Sequence, residues 1–394
     1  MAFTPFSRFL AAARHDPVDH VPTVGAISDF YLAPLFGISD PDQPEAKLEM
    51  LARGAEWFPN QPLLFMVTPC AALHWDMLRQ VDNVDAYYEG TEEWRRVGRL
   101  YSARELGQIR IPDPSSCAEH AAVLHDTQWY HENVPSKLVE SFGYVKGLIR
   151  FENPFDRLAA NLGAGWFERV YTDPGFVHAA MDLFTEASVV GARSLAKEFG
   201  PPVWVMLAED MPSLLSPEQY LEFVAPYHRR LFQAFPDAVK FLHNDGDAAH
   251  LIEVLPECGM DILHFGPRVP IELAKAKVGA AVALMGNLDP MRVMLQGSDE
   301  QFDAECRRII LVGKDGGGFV FSTGGEQVRA LIQHAYAPCR VMRDSMAHAP
   351  LEPRNRACAK SPVSTVCVAP RTTQAESQEP WTPGAGGSSR QSHP

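Results

Sequence analysis

His243, Asn244 and Asp245 follow directly on the short apolar run AVKFLH (238–243). At an extended strand end, residues i and i+2 point to the same side, so His243 and Asp245 could chelate one ion or share one proton. The same residues also have a structural reading, in which Asp245 caps a helix beginning near Ala248 and His243 is a satisfied interior residue. Similar polar groups follow the other apolar runs: Glu152 and Asn153, Glu209 and Asp210, His264, then Asn287 and Asp289 before Pro290. The last run ends in Ser322, Thr323, Gly324, Gly325 and Glu326. Gathered in one place, such groups must be paired, hydrated or metal-bound, because burying them bare is costly. Together they would offer acid/base catalysis and hard ligands for a divalent ion. Several also serve as ordinary scaffold: Glu209 and Asp210 as caps, Asn287 and Asp289 as turn-formers, His264 as a core histidine, and Gly324 and Gly325 as turn material. His74, His178 and His228 fall in helical patterns and read as exposed or packing residues.

These groups need a scaffold that brings distant strand ends together. Eight short apolar runs alternate with longer amphipathic stretches: 20–27, 62–67, 144–151, 202–208, 238–243, 260–266, 280–286 and 318–323. That pattern predicts parallel βα units, and eight of them predict an α/β fold of the (β/α)8 TIM-barrel type, with function at the C-terminal strand ends. Asp173-Pro174 and Ser216-Pro217 each place a capping side chain before a proline, so helices are expected to open there. Residues 82–135 are the least regular and read as an insertion after the second strand. One barrel domain over 1–345 is expected, followed by a disordered tail over 346–394. From about Pro350 the chain is rich in Pro, Ser, Thr, Gly and Gln and buries too little apolar surface to offset ordering entropy.

With 394 residues, 46% of them hydrophobic and 21% charged, the chain can bury a large core. A formal charge of -14 argues against a nucleic-acid partner, since phosphate binding needs a basic surface. The first residues lack the continuous apolar core of a signal peptide, and no apolar run suits a membrane span. Seven scattered cysteines without a CxxC pair fit reduced thiols, so a cytoplasmic protein is expected. No fixed-period repeat is evident.

Four segments together resemble the uroporphyrinogen decarboxylase superfamily. They are Ser7 to Pro22 (SRFLAAARHDPVDHVP), Leu215 to Tyr220 with Pro226-Tyr227, Met285 to Pro290 (MGNLDP), and Phe321 to Gly325 (FSTGG). Their shared order spans about residues 7–335. The resemblance implies a TIM barrel that carries two kinds of chemistry, which fold does not separate. True uroporphyrinogen decarboxylases use arginines of an N-terminal loop and an aspartate after the second strand. Here that loop reads VGAISDFY (24–31), no arginine lies between Arg14 and Arg53, and Thr68-Pro69-Cys70 follows the second strand. A polycarboxylate would lose its cationic clamp and meet Asp29 instead.

The other branch transfers methyl groups with corrinoid proteins. Its members hold zinc through a His-x-Cys at strand five and a cysteine after strand eight. His243 matches the histidine, while Asp245 and Gly325 stand where the cysteines would be. The resemblance therefore implies a corrinoid-dependent methyltransferase or demethylase with a harder divalent site, zinc or another ion. Its expected ligands are His243, Asp245 and Glu326, with Glu209 or Asp210 as further carboxylates. A metal-free pair of His243 and Asp245 acting as acid and base is the alternative chemistry. Catalysis is assigned to His243, Asp245, Glu209 and Asp210, and substrate contacts to Asn287, Asp289, His264, Glu152, Ser322 and Gly324. Cobalamin would arrive on a separate corrinoid protein, because no Asp-x-His-x-x-Gly signature is present. A homodimer is compatible with the sequence. A decarboxylase of the porphyrin-pathway type is the alternative function, and a catalytically silent barrel serving as a binding subunit is the second. After Glu326 the chain runs straight into QVRALI (327–332), which shortens the strand-eight loop relative to the family.

Overall fold

The computed structural model describes residues 2–25, 29–60, 102–143, 147–162 and 165–325, together with 62, 69, 70, 73 and 77. Its centre is a parallel sheet of six strands in sequence order: β1 (Leu148–Arg150), β2 (Trp204–Ala208), β3 (Val239–Asn244), β4 (Ile262–Phe265), β5 (Ala283–Leu288) and β6 (Phe319–Thr323). Two isolated parallel bridges extend it, Cys70 to Arg150 beyond β1 and Thr23 to Phe321 beyond β6. Five pairings within the sheet and these two bridges supply seven of the eight contacts that a closed eight-stave ring requires. The fold is therefore the (β/α)8 barrel that the alternating pattern predicts. The run expected at 20–27 contributes Thr23, flanked by hydrogen bonds from Val24 N to Phe321 O and from Phe321 N to Pro22 O. Most of the run at 62–67 lies outside the described residues, as do 82–101 and the tail.

Alternation along the strands sorts side chains into two cores. Leu148, Trp204, Met206, Val239, Phe241, Ile262, Ala283, Met285 and Val320 fill the barrel interior. Ile149, Val205, Leu207, Leu242, Leu263, Leu284 and Phe321 face outward into the helical layer. Because both faces are covered, the strands read as nearly continuous apolar runs. The helix α1 (Pro5–Ala13) belongs to the interior core: Phe9 is fully buried and meets Trp204 edge-on at 5.8 Å. Trp204 opens β2, so α1 seals the N-terminal end of the barrel and leaves the opposite end for chemistry.

Arg8 of α1 is bound through Nε to Asp19 Oδ1 at 2.6 Å and through Nη2 to Oδ2 at 3.0 Å. Hydrogen bonding from Arg8 is the leading cause that holds the Asp19 carboxyl down to about 2. The folded chain thus loses this charge at a lower pH than the unfolded chain does. The pair's contribution is whole above about pH 4 and fades as pH falls toward 2. We expect Asp19→Asn to cost at most about 1 kcal/mol at neutral pH, since Asp19 is half exposed, and nothing near pH 2. Unfolding curves of parent and variant that keep a constant separation across that range would refute this.

Local chemistry explains the helix starts. Asp173 accepts from Phe176 N ahead of the helix Pro174–Phe199. Ser216 accepts from Gln219 N while Gln219 reaches back to Ser216 N at 3.0 Å, a reciprocal cap on Pro217–Phe223. Replacing Ser216 by alanine should cost about 1 kcal/mol, measured as a lowered urea midpoint with unchanged slope. The stretch expected to be irregular over 82–135 contains the helix Ala118–Asn133. Its buried residues are His120, Thr127 and Tyr130, a stripe too polar to be seen as hydrophobic periodicity. No helix among the described residues is long and apolar enough to cross a membrane.

Candidate active site at the mouth of the barrel

The interior apolar layers give way to polar side chains where β3 and β4 end. His243 and His264 are paired in register on these neighbouring strands, with Nδ1 facing Nδ1 at 2.8 Å. The second ring nitrogen of His264 lies 2.7 Å from the carbonyl oxygen of Thr323. A carbonyl only accepts, so Nε2 of His264 carries its proton and Nδ1 carries the lone pair. Burial, with the neighbouring His243 next in weight, pushes the His264 pKa down to about 3 and keeps the ring neutral. His243 must then donate from Nδ1, which leaves the lone pair of neutral His243 on Nε2. That atom faces Asp245, whose Oδ2 lies 3.9 Å away. A carbonyl on β6 thereby sets, through His264 on β4, the tautomer of His243 on β3.

Ligand atoms of Asp210, His243 and Asp245 all lie within 4.8 Å of one another. His243 is half-buried and the two carboxylates are more open. Burial first, then the charge of Asp245 and a hydrogen bond with its carboxyl, raise the Asp210 pKa to about 7. Both oxygens of Asp156 fix this corner, accepting from Asp210 N and from Met211 N at 3.2 Å each. Asp156 is itself raised to about 7, chiefly by burial and next by the charge of Glu209. Crowded carboxylates of this kind, with an oriented imidazole lone pair, make a donor set of one nitrogen and two oxygens that fits a divalent cation. The His264 bond is the outer-shell support that metal-bound histidines characteristically have.

The loop after β3 owes its course to Asn244, which takes no part in the ligand set. Its Oδ1 accepts from Ser213 Oγ at 3.0 Å and from Gly246 N at 3.1 Å, turning the chain so that Asp245 points back to His243. A Cβ at Gly246 would lie 2.3 Å from Ser213 Oγ, so only glycine allows this approach. Asp245 caps no helix: the next helical turn, Ala249–Leu251, has Ala248 before it and no side-chain cap. Gly325 closes the site from β6, with φ of 144° and its Cβ direction aimed at Asp245 Oδ2, 2.9 Å away. The position that resembles the family's second cysteine thus does face the His243–Asp245 pair, but here it offers backbone only.

Other expected site residues are distributed differently. Glu209 projects from the outer side of its strand end and is fully buried. It accepts from Asn244 Nδ2 at 3.0 Å and lies 3.1 Å from His228 Nδ1, on the far side of the strand from Asp210. Asp289 accepts from Met291 N and Arg292 N at 2.8 Å each and caps the turn Pro290–Leu295, so it is a scaffold residue. Asn287 and Ser322 are register partners on β5 and β6 at the interior face, both buried. Asn287 Nδ2 donates to Val269 O at 2.7 Å, whereas its Oδ1 and Ser322 Oγ have no hydrogen-bond partner among the described residues. Glu152 is buried with Arg157 Nε 3.9 Å from its carboxylate. Gly324 packs against the loop after β4, where an added Cβ would meet Pro267. Glu326 lies outside the described residues. Asp156 and Arg150 were not singled out in the sequence, although Arg150 shares the alternation that puts Leu148 and Glu152 on the interior face; His228, read there as an exposed or packing residue, is fully buried beside Glu209.

Residues 161–329 match the family model for uroporphyrinogen decarboxylase (URO-D). The similarity to that superfamily covers this part of the chain. Among curated relatives, a methylated-thiol–coenzyme M methyltransferase of Methanosarcina mazei is 32% identical over 168 residues, covering 41% of this chain and 45% of that protein. A methylcobamide:CoM methyltransferase of the same organism is 22% identical over 188 residues, 46% of this chain and 55% of the relative. A uroporphyrinogen decarboxylase of Rhodococcus erythropolis is 30% identical over 145 residues, 36% and 40% of the two chains. The matched region spans about half the length of these superfamily relatives. A solved methyltransferase from Methanosarcina mazei superposes with a TM-score of 0.61 at 18% identity over 87% of this chain and 99% of that one, which establishes the common barrel.

Proposed function

We propose that this superfamily barrel is an enzyme that moves a methyl group between a small methylated molecule and a corrinoid carried by a separate protein. The observation that carries the reading is the cluster of Asp210, His243 and Asp245, with the His243 lone pair directed by His264. Similarity to two methyltransferases, one named for methylcobamide, supports the same branch. The N-terminal loop without arginine disfavours a polycarboxylate tetrapyrrole as substrate.

His243, Asp245 and Asp210 would hold a divalent ion such as zinc, which supplies Lewis acidity to the heteroatom bearing the methyl group. Oxygen donors in place of thiolates suit a harder ion and an oxygen or nitrogen heteroatom better than a thiol. His264 keeps the imidazole of His243 turned toward the substrate side. In the metal-free site burial and the charge of Asp245 raise the Asp210 carboxyl to about 7; a bound cation would relieve that repulsion, so both carboxylates would serve as charged ligands and the departing heteroatom would leave as an anion held by the ion. Asn287 Oδ1 and Ser322 Oγ are buried polar atoms available to orient the substrate.

The test is anaerobic incubation of zinc-loaded protein with cob(I)alamin and a panel of methylated amines and methyl ethers, following methylcobalamin by its visible spectrum. The proposal expects methylcobalamin with at least one compound and its loss in His243→Ala. Conversion of uroporphyrinogen to coproporphyrinogen, or a spectrum unchanged by every compound, overturns it.

A further inference from the structure

The interior face of β1 carries a cation where every other described strand carries an apolar or small residue at that depth. Leu148 is interior and Ile149 and Phe151 are exterior, so alternation turns Arg150 inward. Its register partner on β2 is Met206, which pairs in turn with Phe241 on β3. Arg150 is nevertheless exposed to solvent, while Met206 and Phe241 beside it are buried. It is also hemmed in by protein, bridged through its backbone to Cys70 and within the fields of Cys70 and Glu152. An interior arginine that is both crowded and solvent-exposed stands where the barrel opens to solvent, and a side chain this long can reach toward the mouth.

A second cation stands beside it. Arg157, from the helix Pro154–Leu162, reaches Glu152 at 3.9 Å and acts on Cys70 through its charge. Cys70 is partly exposed, whereas Cys117, Cys258 and Cys306 are buried. The β2–β3 side of the mouth thus carries two carboxylates and an imidazole, while the β1 side carries two guanidiniums against the single carboxylate of Glu152, a net positive corner. Two strands and two residues of depth separate Arg150 from His243, which puts their Cα atoms about 12 Å apart. The reach of the two side chains narrows that gap to the length of a small organic molecule.

We propose that Arg150, with Cys70 beside it and Arg157 behind, forms a subsite for the anionic head of a small organic acid, a carboxylate, sulfonate or phosphate. Calling that acid the substrate rests on the methyl-transfer reading; the subsite itself does not. An anion held there by the fork of Arg150 would place the other end of the molecule at His243 and Asp245. The surrounding charge of -14 and the acidic far wall discriminate against larger polyanions.

The experiment needs no turnover, metal or corrinoid. The protein is treated with phenylglyoxal, a neutral arginine reagent, with and without acetate, methanesulfonate or inorganic phosphate at matched ionic strength. Modification is mapped by peptide mass spectrometry. Arg150 should react, and at least one of the three anions should protect it about tenfold, the scale of one charge-assisted hydrogen bond. Arg292, exposed on its turn, should be unprotected. An Arg150 that never reacts, or that is protected no more than Arg292, overturns the proposal. Independently, Arg150→Met should slow Cys70 alkylation by both reagents, because Arg150 favours the thiolate, but should slow anionic iodoacetate about tenfold more than neutral iodoacetamide. An equal change for both reagents also overturns it. Protection at Arg150 without methyl transfer in the earlier test would remove the function and keep the subsite.

Discussion

Chelator-stripped protein should bind one equivalent of zinc, and His243→Ala should bind it at least about a hundredfold more weakly. A group that hydrogen-bonds a metal ligand from behind is typically worth 10–100-fold in affinity, so a ligand should be worth no less. In the fold, His243 Nε2 carries its lone pair only because Thr323 O and His264 fix the protons of two rings in sequence. His264→Phe keeps the bulk and removes that control, and it should weaken zinc by about tenfold or more. Asp245→Asn removes a charge and one donor oxygen 3.9 Å from the ring, and should fall between the two. Competition with a chromogenic chelator measures all four proteins. Equal affinity in parent and His243→Ala would sink the site, and a weakened His243→Ala with an unchanged His264→Phe would sink the relay that orients it.

The separation between what the sequence disclosed and what it concealed follows the range of the interactions. Alternating apolar runs and the Pro-preceded caps at Asp173 and Ser216 are local, so the barrel and several helix starts could be read directly. The i, i+2 relation that joins His243 to Asp245 is also local. His264 was readable as a core histidine but not as the group that fixes His243, because that role depends on strand register and on a carbonyl 59 residues away. Asp156 bonds to backbone 54 residues later, and no spacing announces it. Arg150 could have been found, since the same alternation that assigns Leu148 inward assigns it too; an apolar run ending in a cation reads first as a strand terminus. Glu209 and Asp210 show the limit most clearly. They are adjacent carboxylates after one strand, equal in sequence and opposite in placement.

That opposition yields a large and asymmetric effect on stability. Glu209 is fully buried among Asn244 Nδ2 at 3.0 Å, Tyr220 Oη at 3.4 Å and His228 Nδ1 at 3.1 Å. Burial and then the charge of Glu209 push the Tyr220 hydroxyl well above its ordinary pKa, so it stays a donor to the carboxylate. Glu209→Ala would leave Asn244 and Tyr220 without their acceptor and His228 without its charged neighbour in a dry site, on top of a cavity, and should cost about 3–5 kcal/mol. Asn244 would lose a partner as well, loosening the turn that aims Asp245. Asp210→Asn removes an open carboxylate that burial and Asp245 already disfavour as a charge, so it should leave unfolding within about 1 kcal/mol of the parent. Urea unfolding of metal-free protein, followed by circular dichroism, compares the two directly. If Asp210→Asn destabilises as strongly as Glu209→Ala, the division of this carboxylate pair into a scaffold member and a chemical member is wrong, because asparagine keeps the shape of Asp210 and can still donate to Asp245.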